Sequence, residues 1–314
     1  MWDKIITLTF NPAIDKSASV PLLIPEKKLN CTIPTYEPGG GGINVSRAIK
    51  RLEGSSLAIY LAGGYTGKIF TKLIIAEGLD IVAIKTRGST RENLVIKEMQ
   101  SNLQYRFGMP GEKVNPREWQ NCLTAIEQIK DVAYIVASGS LQSGVPPDIF
   151  VKISEIARSK NARLIIDTSA EPLRLAVEAG VYLIKPNLKE LASLVNKDFL
   201  SIDQVADASK EVIRKFKCEI VITSLGPQGA LLVTKDITFK IDAPNVRVQS
   251  TVGAGDSMLA GIVLSLARKK NLIASAQYGV ACGSAATMNP GTELCHLKDV
   301  NNLYSIISKN ASSI

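Results

Sequence analysis

Short apolar runs at residues 5–10, 57–61, 81–85, 134–137, 164–167, 182–184 and 220–223 recur along the chain, mostly separated by segments with helical periodicity. Runs of this length suit strands buried on both faces, with the intervening helices as the cover. Such alternation leaves few architectures besides a mostly parallel sheet with helices on both sides, because parallel neighbours need crossover connections. One helix start is complete at Asn115-Pro116-x-Glu118, ahead of Trp119, Cys122, Leu123, Ile126 and Ile129 on one face. Further helices are expected over about 66–77, 255–269, 274–287 and 297–308.

Two stretches interrupt the pattern. Residues 16–36 are rich in Pro and Leu without helical period, and residues 92–107 alternate about a polar Ser101-Asn102 turn as a hairpin does. Together they predict a small separate sheet. After Gly226-Pro227-Gln228-Gly229, residues 230–234 and 238–241 predict antiparallel edge strands. The chain shows neither an internal repeat nor a low-complexity linker.

With 314 residues, 46% of them hydrophobic, the chain can bury a large α/β core. No run of 18 apolar residues occurs, and residues 1–10 lack a basic segment leading into a long apolar one, so neither a membrane span nor export is expected. The cytoplasm is the expected compartment. Five scattered cysteines without C-x-x-C spacing predict free thiols rather than disulfides or a zinc site. The net charge of +8 comes from dispersed Lys and Arg with few aromatics, which argues against nucleic-acid binding and suits phosphate substrates.

The stretch Ser250-Thr251-Val252-Gly253-Ala254-Gly255-Asp256-Ser257-Met258 sets two glycines and an acid before an apolar helical run. Small residues let amides approach an anion, the helix dipole adds to their pull, and Asp256 stands beside it as a candidate base. The same residues could instead be a helix start whose acid satisfies amides and the dipole. A second loop, residues 39–42, places four glycines before Asn44, and Asp15 is expected just past the end of the first strand. Some signals fail on inspection. Residues 63–69 lack the spacing of a phosphate-binding P-loop, and neither glycine cluster completes G-x-G-x-x-G, because Asn44 and Met258 hold the last positions. The single histidine, His296 beside Cys295, is read as structural.

Asp15, the glycine loop with Asn44, Lys185-Pro186-Asn187-Leu188-Lys189-Glu190 and the 250–258 loop together resemble, in order and across nearly the whole chain, the PfkB or ribokinase-like family of sugar kinases. Within it, Ser224-Leu225-Gly226-Pro227-Gln228-Gly229-Ala230 and Gly283-Ser284-Ala285-Ala286-Thr287 are similar to the 6-phosphofructokinase branch. Asn11-Pro12-Ala13-Ile14-Asp15 is shared with the 1-phosphofructokinase and tagatose-6-phosphate kinase branches. The resemblance implies a ribokinase-like three-layer αβα sandwich with a mostly parallel sheet plus a small β-sheet lid. The core would take residues 1–15, 37–86 and 111–314, and the lid residues 16–36 and 87–110, pairing subunits as a homodimer.

The implied activity is ATP-dependent phosphorylation of fructose 6-phosphate to fructose 1,6-bisphosphate, with the two other branch activities as alternatives. A noncatalytic sugar-phosphate sensor is the alternative of another class. By the same resemblance Asp256 is the base and the Gly253, Ala254 and Gly255 amides form the anion hole. The sugar phosphate falls to Asp15, Gly39, Gly40, Asn44, Arg91, Ser140 and Lys28, the last from a partner's lid. ATP falls to Lys185, Asn187, Ser224, Gly226, Gly229, Thr251, Gly283 and Ser284. Mg²⁺ falls to Glu190, through water, and a K⁺ ion to Ser250, Val252, Ala286, Asn289 and Gly291. The chain departs from the family at Gln142-Ser143-Gly144, where Pro-Pro-Gly is more usual, a change expected to alter loop stiffness without removing a ligand.

Overall fold

A computed structural model describes residues 3–310. Strand β1 (Lys4–Thr9) sends Ile6 and Leu8 into one hydrophobic core and Ile5 into another on the opposite face. This is the two-residue period of a strand covered on both sides. The chain then leaves the main sheet for β2 (Ala13–Val20), which pairs antiparallel with β3 (Thr35–Gly39). It returns through α1 (Gly41–Arg51), β4 (Leu57–Gly63), α2 (Gly64–Ala76) and β5 (Asp80–Thr86).

β6 (Arg91–Glu98) and β7 (Gln104–Phe107) form the expected hairpin, whose turn holds Asn102 at φ 60°. β6 also runs parallel to β2, completing a separate four-stranded sheet in the order β3-β2-β6-β7. Regular alternation resumes with α3 (Pro116–Gln128), β8 (Val132–Ser138), α4 (Ile149–Ser159), β9 (Arg163–Asp167), α5 (Ala170–Ala179), β10 (Val181–Ile184) and α6 (Leu188–Leu194). It continues with α7 (Val205–Lys215) and β11 (Cys218–Ser224). The edge strands β12 (Ala230–Val233) and β13 (Thr238–Ile241) are antiparallel, as their sequence predicts. Three helices close the chain, α8 (Ala254–Ala267), α9 (Leu272–Thr287) and α10 (Leu297–Asn310).

The large sheet has the order β13-β12-β11-β10-β9-β8-β1-β4-β5. Helices α3 to α7 bury one face, and α1, α8, α9 and α10 the other, with α2 over β4. The strand order reverses between β1 and β8, so the crevice beyond their carboxyl ends is the favoured place for a ligand. Asp15 differs from expectation: it lies within β2, paired with Glu37, rather than in a loop past β1. The second sheet thus takes in residues 13–15 and 37–39, which the sequence division gave to the core. Residues 1–2 and 311–314 of that division lie outside the described residues. Among those described, no helix is long and apolar enough to cross a membrane.

Candidate active site

Two glycine-opened helix starts meet above the crevice. α1 begins from Gly40, at φ 111° and without a side-chain cap. A Cβ there would lie 2.8 Å from Thr9 Cγ2, and one on Gly41 would overlap Ser138 Oγ, so only glycine lets this loop rest on the ends of β1 and β8. α8 begins from Gly253, at φ 73° over Leu294, also without a side-chain cap. The two are tied by Asn44 Nδ2, which donates to Asp256 Oδ2 at 2.9 Å.

Asp256 therefore caps nothing. Burial, reinforced by the Asp167 carboxylate, pushes its acid up to about 6, while the Asn44 hydrogen bond and Lys185 pull the other way. Lys185 is buried, with Nζ 3.3 Å from Asp167 Oδ1. Its Nζ also lies 3.4 Å from where a Gly255 Cβ would stand. Burial alone would lower the Lys185 ammonium, but Asp167 and Asp256 hold it above its usual value. A fixed cation thus sits beside the first turn of α8, where developing negative charge would gain from both.

Several of the residues expected on the sugar side are bound to one another. Asn93 Nδ2 donates to Asp15 Oδ1 at 2.8 Å, and Arg91 Nη1 donates to Asn93 Oδ1 at 3.0 Å. Arg91 Nη2 reaches the Asn11 carbonyl at 3.2 Å, and Asn11 Nδ2 donates to Ser140 Oγ at 2.9 Å. Arg91 Nε and Asn11 Oδ1 are buried without a protein partner, the expected state of groups that await a polar ligand. The Asp15 carboxylate covers Gly39, and burial raises its acid against the pull of Asn93 and Arg91. Gln142, at the departure from the family pattern, is buried and donates through Nε2 to the Glu112 carbonyl, so a hydrogen bond anchors this loop.

On the other side of α8, Ser224, Gly226, Gly229, Thr251, Gly283 and Ser284 line one cavity of about 590 Å³ together with Ala254 and Gly255. Ala243, Val246 and Val248 supply apolar wall that the motifs did not indicate. Asn187 makes an isolated parallel bridge to Ser224. Asn187 Oδ1 accepts from Glu190 N at 2.9 Å and Glu190 Oε2 accepts from Asn187 N at 2.8 Å, a closed capping box at the start of α6. Glu190 Oε1 takes no part in that cap, and burial raises its acid. The carboxylates Glu190 and Asp167 are hard oxygen donors that fit Mg²⁺. No group of three or more metal-binding side chains occurs among the described residues, so such an ion would rely on water and phosphate oxygens.

Ser250 Oγ donates to the Gly291 carbonyl at 2.7 Å, Val252 N donates to Ser250 Oγ at 3.2 Å, and Asn289 N donates to the Ala286 carbonyl at 3.2 Å. The residues expected around K⁺ thus fall in two hydrogen-bonded sets, 250–252 with 291 and 286 with 289, which the Ser250 amide links by donating to the Thr287 carbonyl at 3.3 Å. Lys28 is exposed in the 21–34 segment, and no hydrogen bond or ion pair joins it to the other residues expected on the sugar side. His296 faces solvent in a 2.7 Å pair with Glu293, while the neighbouring Cys295 is buried. Sequence reasoning missed Asp167 and Asn93. Asp167 had a signal, its place at the carboxyl end of an expected strand; Asn93, inside a hairpin strand, had none.

The chain matches the profile of the pfkB family carbohydrate kinases over residues 8–299. It is 41% identical to the ATP-dependent 6-phosphofructokinase isozyme 2 of Escherichia coli strain K12, over 98% of this chain and 99% of that protein. Two crystal structures of phosphofructokinase-2 from Escherichia coli superpose closely. The complex with potassium gives a TM-score of 0.94 at 41% identity, over 98% of this chain and 100% of the other. The complex with fructose-6-phosphate gives 0.92 at 40% identity, with the same coverage. With its ribokinase-like fold and two facing glycine loops, the chain belongs to the pfkB family of carbohydrate kinases, ATP-dependent phosphotransferases.

Proposed function

We propose that the chain transfers the γ-phosphoryl group of ATP to the free primary hydroxyl of fructose 6-phosphate, forming fructose 1,6-bisphosphate. The Asn44–Asp256 hydrogen bond carries this reading, because it holds a carboxylate between a backbone-lined sugar loop and the uncapped start of α8. Asp256 accepts the hydroxyl proton as the oxygen attacks phosphorus; the bond to the bridging oxygen breaks and ADP leaves. With its acid near 6, Asp256 is largely ionised at neutral pH yet a better proton acceptor than an ordinary aspartate. The Gly253, Ala254 and Gly255 amides and Lys185 stabilise the charge spread over the transferring group.

ATP takes the cavity lined by Ser224, Gly226, Gly229, Thr251, Gly283 and Ser284, with Asn187 at its edge. Asp15, Gly39, Gly40 and Asn44 take the sugar hydroxyls, and Arg91, with Ser140 and the partner's lid, takes the phosphate. Mg²⁺, when bound near Glu190 and Asp167, supplies charge neutralisation on the phosphate chain. K⁺ at the 250–252 and 286–291 corner would stiffen the backing of Gly253.

Exposed apolar side chains on the small-sheet segments, among them Ile33 at 92%, Tyr36, Tyr105 and Phe107, support pairing of two copies through that sheet. The exposure of Lys28, without a bond to the other expected ligands, agrees. Five free cysteines suit a reducing compartment, the cytoplasm. A coupled assay with fructose 6-phosphate, fructose 1-phosphate and tagatose 6-phosphate tests the reading. The highest kcat/KM is expected for fructose 6-phosphate, and a preference for either other sugar would overturn that assignment. Sedimentation at micromolar concentration should give the mass of a dimer.

A further inference from the structure

Among the described residues Arg47 is the largest fully buried side chain, with 2% of its surface exposed, and the proposed phosphoryl transfer does not use it. Its Nε donates to both oxygens of Glu77, the residue at the C-terminal cap of α2, at 2.9 and 2.8 Å. Its Nη2 donates to Glu37 on β3 at 3.1 Å, and Nη1 to the Pro38 carbonyl at 2.9 Å. Nη1 also stands 3.5 Å from Asn44 Oδ1, one helical turn back on α1. The guanidinium fork thus touches the residue before Gly39 and the far side of the amide that holds Asp256.

The tie continues beyond Glu37. Thr292 Oγ1 donates to Glu37 Oε2, and Leu294, two residues further, packs under Gly253. One turn along α1, Arg51 Nη1 donates to the Leu294 carbonyl at 3.0 Å. A continuous run of bonds therefore joins α2, α1 and β3 to the segment that seats the start of α8.

Burying a guanidinium with two carboxylates is a poor way to gain stability, since an apolar side chain of similar size often serves as well. What the arrangement supplies is direction. The planar fork engages three elements at fixed angles, which lysine, a point charge on a flexible stem, cannot do.

We propose that Arg47 is a positioning residue for the sugar side of the reaction. It aims Asn44 at Asp256 and at the sugar, and Glu37 and Thr292 register the glycine loop against Gly253. This inference rests on the kinase reading given above.

The test is Arg47→Lys, alone and combined with Asn44→Ala, with KM determined separately for sugar phosphate and ATP. Arg47→Lys should raise the sugar-phosphate KM about tenfold, the loss of one charge-assisted hydrogen bond, with the ATP KM within about twofold. In the Asn44→Ala background the same change should add little, because the residue it acts through is already gone. Additive effects in the two backgrounds, or equal losses for both substrates, would overturn the proposal. Should Arg47→Lys fail to fold, Glu37→Met and Thr292→Val keep the guanidinium and cut the tie to Gly253. Each should raise the sugar-phosphate KM in the same direction by a smaller factor, and an unchanged KM in both would equally overturn it. A wild-type enzyme that phosphorylates none of the three sugar phosphates sinks the kinase reading itself; an active wild type with indifferent variants sinks only the role of Arg47.

Discussion

Helices α6 and α8 both begin at the carboxyl side of the main sheet with an acid in the first turn, yet the two starts are built in opposite ways. At α6, Asn187 and Glu190 close a capping box that satisfies both end amides. At α8 no side chain caps the helix, and Asp256 turns away to accept from Asn44 on another element. A closed helix end is a finished piece of structure. An open one, held by glycine at φ 73° and backed by a buried lysine, keeps its donors for something that arrives from outside. The difference teaches that an acid near a helix start is best judged by where its oxygens go.

The sharpest way to break this contrast is Asp256→Asn, which keeps the shape and the Asn44 contact but removes the base. Turnover should fall about a thousandfold or more while ATP binding, followed by calorimetry, survives. The same variant has an opposite effect on stability. The folded-state acid at about 6 lies above its usual 3.8, so the wild type holds this proton more tightly when folded and loses stability as pH rises between those values. Asp256→Asn should therefore raise the melting temperature by a few degrees at pH 8 and by nothing below about pH 4. An equal gain at both pH values would exclude the buried charge as the cause.

Gly253→Val attacks the open helix end itself. A β-branched side chain at positive φ, pressed on Leu294, should displace the first-turn amides and cost about a hundredfold in kcat, as removal of an anion-hole donor does. A kcat within a few-fold of wild type would mean those amides do not face the transferring group. Glu190→Gln asks whether α6 is more than a cap. Glutamine preserves a capping box, so stability should hold, while the Mg²⁺ concentration for half-maximal rate should rise about tenfold. The smallest effect belongs to Asn187→Ala, which opens the α6 box and should cost about 1 kcal/mol in chemical denaturation. Were it instead as damaging to turnover as Asp256→Asn, the division between the two helix starts would be wrong.

Much of the fold was legible because its signals are local. The apolar runs fall where β1, β4, β8, β9 and β11 form, and the Asn115 cap acts on an amide three residues away. The glycine clusters were equally readable, since positive φ and close backbone approach leave few alternatives to glycine. Asp15 was misplaced by one element. Its sequence shows a break after β1, but pairing with Glu37 and Arg91's strand depends on residues far along the chain. Asn93 was invisible for the same reason: a polar residue in a hairpin strand is ordinary until Asp15 and Arg91 lie on either side of it.

By itself, then, the sequence determined the class of fold, the two glycine loops and the order of the motifs. These depend on periodicity and backbone conformation within a few residues. Only the tertiary structure decided that Asp256 serves Asn44 rather than its own helix, that burial, with Asp167 beside it, raises its acid against the pull of Asn44 and Lys185, and that Arg47 ties the Gly39 loop to the seat of Gly253. Those are contacts between residues up to hundreds of positions apart. They are fixed by the packing of α1 against α8 over the same sheet face, and no local preference encodes them.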